Sequence, residues 1–223
     1  MICFVIALDG EAEPVLANIK NAQMQLVYGK KVYFGEMCGD EVRLIVCGVG
    51  KVNAAAATML AVERYRADAI INIGTAGALH AGLPVGSICA VTHAAEYDFD
   101  LCAINGTEMG VLNEFTERWL PLERAGAYTP VRLATGDRFN DDIKDYEMLT
   151  QDFKADLRDM EGAAVAHVCA HTKTPAYLYK TVSDVAGSGS TADQYSKNIA
   201  LCYKNTGLEI CKIYRAVKES IGK

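Results

Sequence analysis

Three acids carry the chemistry that this sequence offers. Glu161 lies in Arg158-Asp159-Met160-Glu161-Gly162-Ala163-Ala164-Val165-Ala166, where two acids flank a methionine and a run of small residues follows. Glu11 lies in Leu8-Asp9-Gly10-Glu11, and Asp184 in Val182-Ser183-Asp184. Glu161 and Glu11 each have a plain reading and a sharper one. The unpaired N–H groups and dipole of a helix start favour negative charge, so Asp159, Glu161 and Glu11 fit cap or first-turn positions. In the sharper reading Glu161 points into a pocket and accepts hydrogen bonds from a polar ligand, while Glu11 and Asp184 sit at strand ends beside it. The small residues after Glu161 predict a helix packed very closely on something flat, since Ala and Gly leave little side chain between helix and neighbour.

The elements that must position these acids alternate strand and helix. Residues 2–8 are a continuous apolar run closed by Asp9-Gly10, which predicts a fully buried strand of the kind covered on both faces. A helix should start at Glu11, with Pro14 in its first turn. Gln25–Tyr28, Lys31–Met37 and Glu41–Cys47 read as hairpin strands separated by Gly29-Lys30 and Gly39-Asp40. Gly48-Val49-Gly50-Lys51 opens a helix from Val52 to about Arg66. It is neither G-x-G-x-x-G nor a phosphate-binding Walker loop, so it predicts a tight turn that brings backbone near a ligand. The strand Ala67–Ile73 leads into a glycine loop, Gly74-Thr75-Ala76-Gly77-Ala78-Leu79, able to offer N–H groups and a hydroxyl.

Val85–Thr92 reads as a further strand, Tyr97–Leu112 as an irregular exposed loop or subunit contact, and Glu114–Leu122 as a helix carrying Trp119. The strand Val131–Thr135 ends in Gly136-Asp137-Arg138-Phe139-Asn140, and an aromatic past a strand end either fills the core or stacks on a flat base. Pro175–Thr181 is the last strand. Val182–Ser190 then has the composition of a mobile lid, and Ser190-Thr191-Ala192-Asp193 starts the final helix to about Lys218. The pattern is that of an α/β sheet protein, 1–223 as a single domain, with no internal linker.

Composition narrows the function. The chain has 223 residues, half of them hydrophobic, enough for a substantial core. A net charge of -6 and pI near 5.3 argue against a nucleic-acid or anionic-membrane surface. No stretch has the roughly 18 apolar residues of a membrane span, and no basic leader precedes the first strand, so no signal peptide is expected. The eight cysteines form no C-x-x-C pair and sit mostly in apolar runs. They read as small core residues in a reducing cytoplasm. Zinc and disulfides call for clustering that the spacing lacks, and no metal or cofactor is expected.

With these motifs in hand, the chain resembles the nucleoside phosphorylase/nucleosidase superfamily, and within it 5′-methylthioadenosine/S-adenosylhomocysteine nucleosidases. The resemblance covers nearly the whole chain. It is carried by Ala7-Leu8-Asp9-Gly10-Glu11, Gly48-Val49-Gly50-Lys51-Val52-Asn53-Ala54-Ala55, Asn72-Ile73-Gly74-Thr75-Ala76-Gly77, Asp159-Met160-Glu161-Gly162-Ala163-Ala164 and Val182-Ser183-Asp184, in that order. It implies a three-layer αβα sandwich around a twisted mixed β-sheet, a homodimer, a small nucleoside substrate and hydrolysis of an adenine N-glycosidic bond.

Carried over residue by residue, the resemblance makes Asp184 the general acid that protonates purine N7, which needs a raised pKa. Ser183 would hold Asp184. Glu161 would bind the ribose hydroxyls, with Met160 against the sugar and Asp159 beside it. Glu11 would orient and deprotonate the attacking water. Phe139 matches the residue that stacks on adenine; Thr75, Ala76 and Gly77 would line the ribose side, and Leu8 and Val49 the 5′ substituent. Two positions depart from the pattern. Asn140 replaces an aliphatic residue that touches the base through its backbone, and Lys180 stands where an arginine near the water is common, a point charge instead of a fork. Residues 97–112 match poorly, which leaves the 5′ pocket open. A nucleoside phosphorylase and a non-catalytic nucleoside-binding protein are the alternatives.

Overall fold

The computed structural model describes residues 1–222. The strand β1 (Ile2–Ile6) is buried along its whole length and alternates its side chains between two cores. Cys3 and Val5 face one; Ile2, Phe4 and Ile6 face the other. This two-sided burial is what the uninterrupted apolar run requires.

The parallel neighbours of β1 are β4 (Asp40–Val46) and β5 (Ala69–Ala78). Beyond β4 the antiparallel strands β3 (Lys30–Met37) and β2 (Lys20–Val27) extend the sheet. On the other side, β5 pairs in parallel with β10 (Ala176–Val185), which pairs antiparallel with β6 (Ile88–Glu96). β6 also carries the two-residue strand β7 (Leu120–Pro121). β8 (Thr129–Thr135) and β9 (Leu157–Asp159) continue from β6, and β9 returns to pair antiparallel with β5. The five strands β5, β10, β6, β8 and β9 therefore close on themselves, and β1, β4, β3 and β2 run out from this ring as an open mixed sheet.

Helices cover both faces, so the expected three-layer mixed-sheet architecture is present. Helices α2 (Lys51–Glu63) and α5 (Gly162–Thr172) pack together on one face through Ala54, Ala57, Ala61, Ala163 and Ala166. The small side chains let both helices lie close to the sheet. On the other face α1 (Asp9–Leu16) packs on α6 (Thr191–Ile221), which buries Ile210, Ile213, Tyr214 and Val217 over Phe4 and Ile6. Each such fully buried side chain stabilises the fold by roughly 1.5–3 kcal/mol. Ser190 caps α6 as its sequence predicts, its side chain accepting from the Asp193 N–H at 3.4 Å.

Several elements differ from the sequence expectation. Pro14 lies in the second turn of α1, not the first, and the helix ends at Leu16. Glu114–Leu122 is not a helix. Turns and bends lead to Leu120–Pro121, which pair with β6, and Trp119 packs edge-on against Phe153 at 6.2 Å. Tertiary pairing outweighs local helix preference there. Tyr97–Leu112 is only partly a surface loop: Tyr97, Val111 and Leu112 are buried in their own chain, and a single helical turn, α3 (Cys102–Asn105), carries the exposed Ile104. Ile143–Glu147 forms the short α4, continued by one π-helical turn to Asp152.

Candidate active site

On one edge of β5 two strands approach each other head to head. β1 covers Ala69 to Asn72, and β9, running the opposite way, covers Gly77 and Ala78. Among the described residues, Ile73–Ala76 has no strand partner on that edge. A cavity of about 410 Å³ opens at this gap. Local sequence ends the strand at Ile73 and makes Gly74–Leu79 a loop. In the structure the strand runs on to Ala78, and the glycines admit carboxylates instead of bending the chain. A β-carbon on Gly74 would stand 3.0 Å from Glu11 Oε1, and one on Gly77 2.6 Å from Asp184 Oδ2.

Glu11 occupies the gap as a substitute for the missing strand. Its Oε1 accepts from the Thr75 N–H and the Thr75 hydroxyl, each at 2.8 Å. Oε2 reaches back to the Leu8 N–H at 3.3 Å, closing the first turn of α1. The carboxylate is buried yet lines the cavity.

At the end of β9 the two readings of Asp159 and Glu161 separate. Asp159 is the cap: its Oδ2 accepts from the Gly162 N–H at 2.8 Å, its Oδ1 from the Thr135 hydroxyl at 2.5 Å, and Lys180 Nζ pairs with Oδ2 at 2.8 Å. Asp159 lies at the cavity wall, but these partners engage its carboxylate. Glu161 is turned away from its own helix. Its Oε1 accepts the Gly50 N–H at 2.8 Å, its one protein hydrogen bond among the described residues, so acceptor capacity remains for a ligand. The Gly48–Gly50 turn thus brings backbone to the site, with Gly50 at φ 98°.

Burial raises Glu161, and the nearby Asp159 charge raises it further; Lys180 and the Gly50 N–H oppose them, and the net result is a pKa of about 7. Lys180 is 1% exposed. Burial works against its charge, but Asp159 and Glu161 outweigh it and hold its pKa above the ordinary value. Lys180 does not line the cavity. It lies beneath the acids, so the expectation that it touches substrate or water is corrected to an internal counter-ion.

Asp184 comes from a β-bulge. Val182 faces Ala76 and Asp184 faces Gly77 across β5, so Ser183 is the extra residue. The bulge puts consecutive residues to different uses. Ser183 Oγ donates to Asp184 Oδ1 at 2.7 Å and lies 3.3 Å from the Ala76 carbonyl. Helix α6 holds this strand end, with Asn198 Nδ2 donating to the Ser183 carbonyl at 2.9 Å. Burial raises the Asp184 pKa; the Ser183 hydrogen bond and Arg158 reduce the shift without reversing it. A buried carboxyl biased toward its protonated form can donate to a ligand.

The cavity brings together Glu11, Glu161 and Asp184 with Leu8, Val49, Thr75, Ala76, Gly77, Phe139, Asp159, Met160 and Ser183. Phe139 is 55% exposed, with its ring edge-on to Tyr195 at 5.9 Å. Asn140 is not part of the lining: its Nδ2 donates to Asp145 Oδ2 at 2.9 Å. That bond accounts for the polar side chain, which shares Asp145 with Arg138, and it leaves the Asn140 backbone uninvolved. Sequence reasoning missed Arg158, Thr191 and Tyr195 as lining residues. Arg158 Nη2 donates to the Thr191 hydroxyl at 3.0 Å, and Asp141 accepts from Thr191. Thr191 and Tyr195 are one turn apart on α6, a spacing that could have flagged them once the Ser190 cap was recognised.

The chain is similar to known proteins along nearly its whole length. The family model for the phosphorylase superfamily matches residues 1–217. The 5′-methylthioadenosine/S-adenosylhomocysteine nucleosidase of Bacillus thuringiensis strain Al Hakam is 31% identical over 215 residues, covering 90% of this chain and 93% of that one. A crystal structure of the nucleosidase of that name from Colwellia psychrerythraea, in complex with adenine, superposes with a TM-score of 0.86 at 25% identity, covering 94% of this chain and 92% of that one. The futalosine hydrolase of Helicobacter pylori superposes equally well, TM-score 0.86, at 20% identity over 96% of this chain and 97% of that one.

Proposed function

The chain belongs to the phosphorylase superfamily, and from that premise we propose that it hydrolyses the N-glycosidic bond of adenine thionucleosides of the 5′-methylthioadenosine and S-adenosylhomocysteine type. The observation that carries this reading is the division of labour among three buried acids around one cavity. Asp184 is biased toward the protonated form, Glu161 has unused acceptor capacity, and Glu11 is fixed by backbone and hydroxyl donors.

Adenine leaves poorly as an anion. Asp184 donates its proton to N7, so the C1′–N9 bonding electrons pass to a neutral base. Positive charge builds on the ribose ring, and the Glu161 and Glu11 carboxylates stabilise it. Glu161 accepts from the ribose hydroxyls, which fixes the sugar. Glu11 takes a proton from the attacking water as its oxygen bonds to C1′. The products are free adenine and the free thiosugar, and solvent returns the proton from Glu11 to Asp184. Phe139 stacks on the base, Thr75, Ala76 and Gly77 flank the sugar, and Leu8 and Val49 face the 5′ substituent. Asp159 and Lys180 act as positioning residues beneath Glu161.

A phosphorylase is the second reading. The observation that favours it is Arg138 and Arg158 on the cavity wall. Both are engaged, Arg138 with Asp145 and Arg158 with Thr191, and a phosphate dianion beside Glu11 would meet repulsion. The test of the nucleosidase assignment is Asp184→Asn, which keeps the shape but has no proton to give N7. Binding of 5′-methylthioadenosine survives while adenine release falls by roughly 10²-fold or more; near-normal turnover would overturn the general-acid role.

We further infer a homodimer, acting as one unit over residues 1–223. Val49, Val52 and Met59 leave an apolar stripe at and along α2, with Val52 81% exposed, and Ile104 adds another exposed apolar side chain. Light scattering that returned the 24.1 kDa mass of a single chain would contradict it. Eight free cysteines fit a reducing cytoplasm.

A further inference from the structure

We propose that Glu114, His167 and His171 form a binding site for a divalent transition-metal ion of the zinc, cobalt or nickel kind, outside the nucleoside cavity. The cysteines, by their spacing, offer no metal site. The fold makes the cluster from histidines instead.

His167 and His171 are four residues apart on α5, so both rings leave the same face. The segment that was expected to be a helix is a bent loop, and it lays Glu114 against that face. One ligand atom from each of the three side chains can be chosen so that all lie within 4.8 Å of one another. Ligand atoms around a tetrahedral zinc ion lie about 3.4 Å apart, given bonds of ~2.0–2.2 Å. Small rotamer adjustments of two exposed side chains, Glu114 and His171, bridge that difference.

A second observation points the same way. His167 Nδ1 lies 3.1 Å from Glu96 Oε1. A carboxylate on one ring nitrogen fixes the tautomer and leaves the other nitrogen free for an ion, as second partners of metal-bound histidines do. Glu96 is itself held by Lys51 Nζ at 2.9 Å, so this support is rigid. Phe115 packs on both imidazoles, at 5.7 and 5.3 Å between centroids, which orients the pair. His171 is in the last turn of α5, where the negative end of the helix dipole favours a cation. Two imidazoles and one carboxylate select zinc, cobalt or nickel over magnesium or calcium. Three protein ligands leave a fourth position for water.

The test is titration of the untagged, full-length, reduced protein with cobalt(II), read by calorimetry and visible absorption. One ion binds per chain, with the d–d spectrum of nitrogen and oxygen ligation. His171→Ala and Glu114→Gln each weaken binding tenfold or more, and Glu96→Gln weakens it by roughly 10–100-fold. Both His171 and Glu114 are exposed, so their variants fold, and unchanged adenine release confirms it. Binding no tighter than about 1 mM, a thiolate charge-transfer band in place of the d–d spectrum, or equal affinity in the His171→Ala/Glu114→Gln double variant would each overturn the site.

Discussion

Asp184 lies so close over Gly77 that a β-carbon there would stand 2.6 Å from the carboxyl Oδ2. The strand is therefore glycine at 77 because the acid needs the space, not because the chain turns. Gly77→Ala should push Asp184 off its bulge while leaving the β5–β10 pairing in place. Turnover of 5′-methylthioadenosine should fall by roughly 10–100-fold with the melting temperature little changed. A variant with full activity would show that Asp184 can act from a displaced position.

Glu161 is set against stability. Its pKa rises from the ordinary 4.5 to about 7 on folding, so between those values the folded protein holds a proton that the unfolded chain has lost. Stability contributed by this group is present at low pH and disappears as pH rises through about 7. Glu161→Gln keeps an acceptor for the Gly50 N–H and removes the buried charge. Thermal melts should show the variant more stable than the parent at about pH 8, with the gap closing below about pH 4.5. Turnover should fall by about 10²-fold, since the ribose hydroxyls lose a charged acceptor. A variant less stable than the parent at high pH would contradict the raised pKa.

Lys180 is the one cation beneath Asp159 and Glu161 among the described residues. Replacing it with methionine leaves two carboxylates buried without compensation, which should cost roughly 3–5 kcal/mol in chemical denaturation. The double variant Lys180→Met/Asp159→Asn removes the pair together and should recover most of that loss. Additive effects of the two substitutions would show that they do not act as a pair.

Phe139 is half free of the protein, so its truncation should cost little stability. Phe139→Ala should raise KM for 5′-methylthioadenosine by about tenfold, the worth of one aromatic stack, and change kcat less. A fall in kcat at constant KM would move Phe139 from base binding to positioning of the acid.

Much of this was legible in the chain. The apolar runs of β1, β5 and β10 need burial on both faces, and local sequence suffices to see that. Glu11, Glu161 and Asp184 stand beside strand ends, and their motifs converge on one cavity. Other features depend on pairing between distant segments. The glycines of β5 punctuate a loop when read locally, and only the approach of Glu11 and Asp184 explains them inside a strand. Glu161 was expected at the same strand edge as the others, but β9 runs against β5, so the acids meet at a gap between converging strands. Arg158 alternates with Asp159 on β9, and nothing local says which of the two reaches open space. Glu114–Leu122 has helix-forming residues, yet its end, Leu120–Pro121, pairs with β6 and the residues before it turn and bend instead of coiling.

Water as the nucleophile is the most exposed element of the mechanism. Incubation of the enzyme with 5′-methylthioadenosine in ¹⁸O-enriched water and excess phosphate, with mass analysis of the sugar, reads it directly. The expected product is free 5-methylthioribose carrying one solvent oxygen, formed at a rate that phosphate does not raise. A 5-methylthioribose 1-phosphate that appears only with phosphate, and carries no solvent oxygen at C1, would contradict Glu11 as the base and hydrolysis as the reaction.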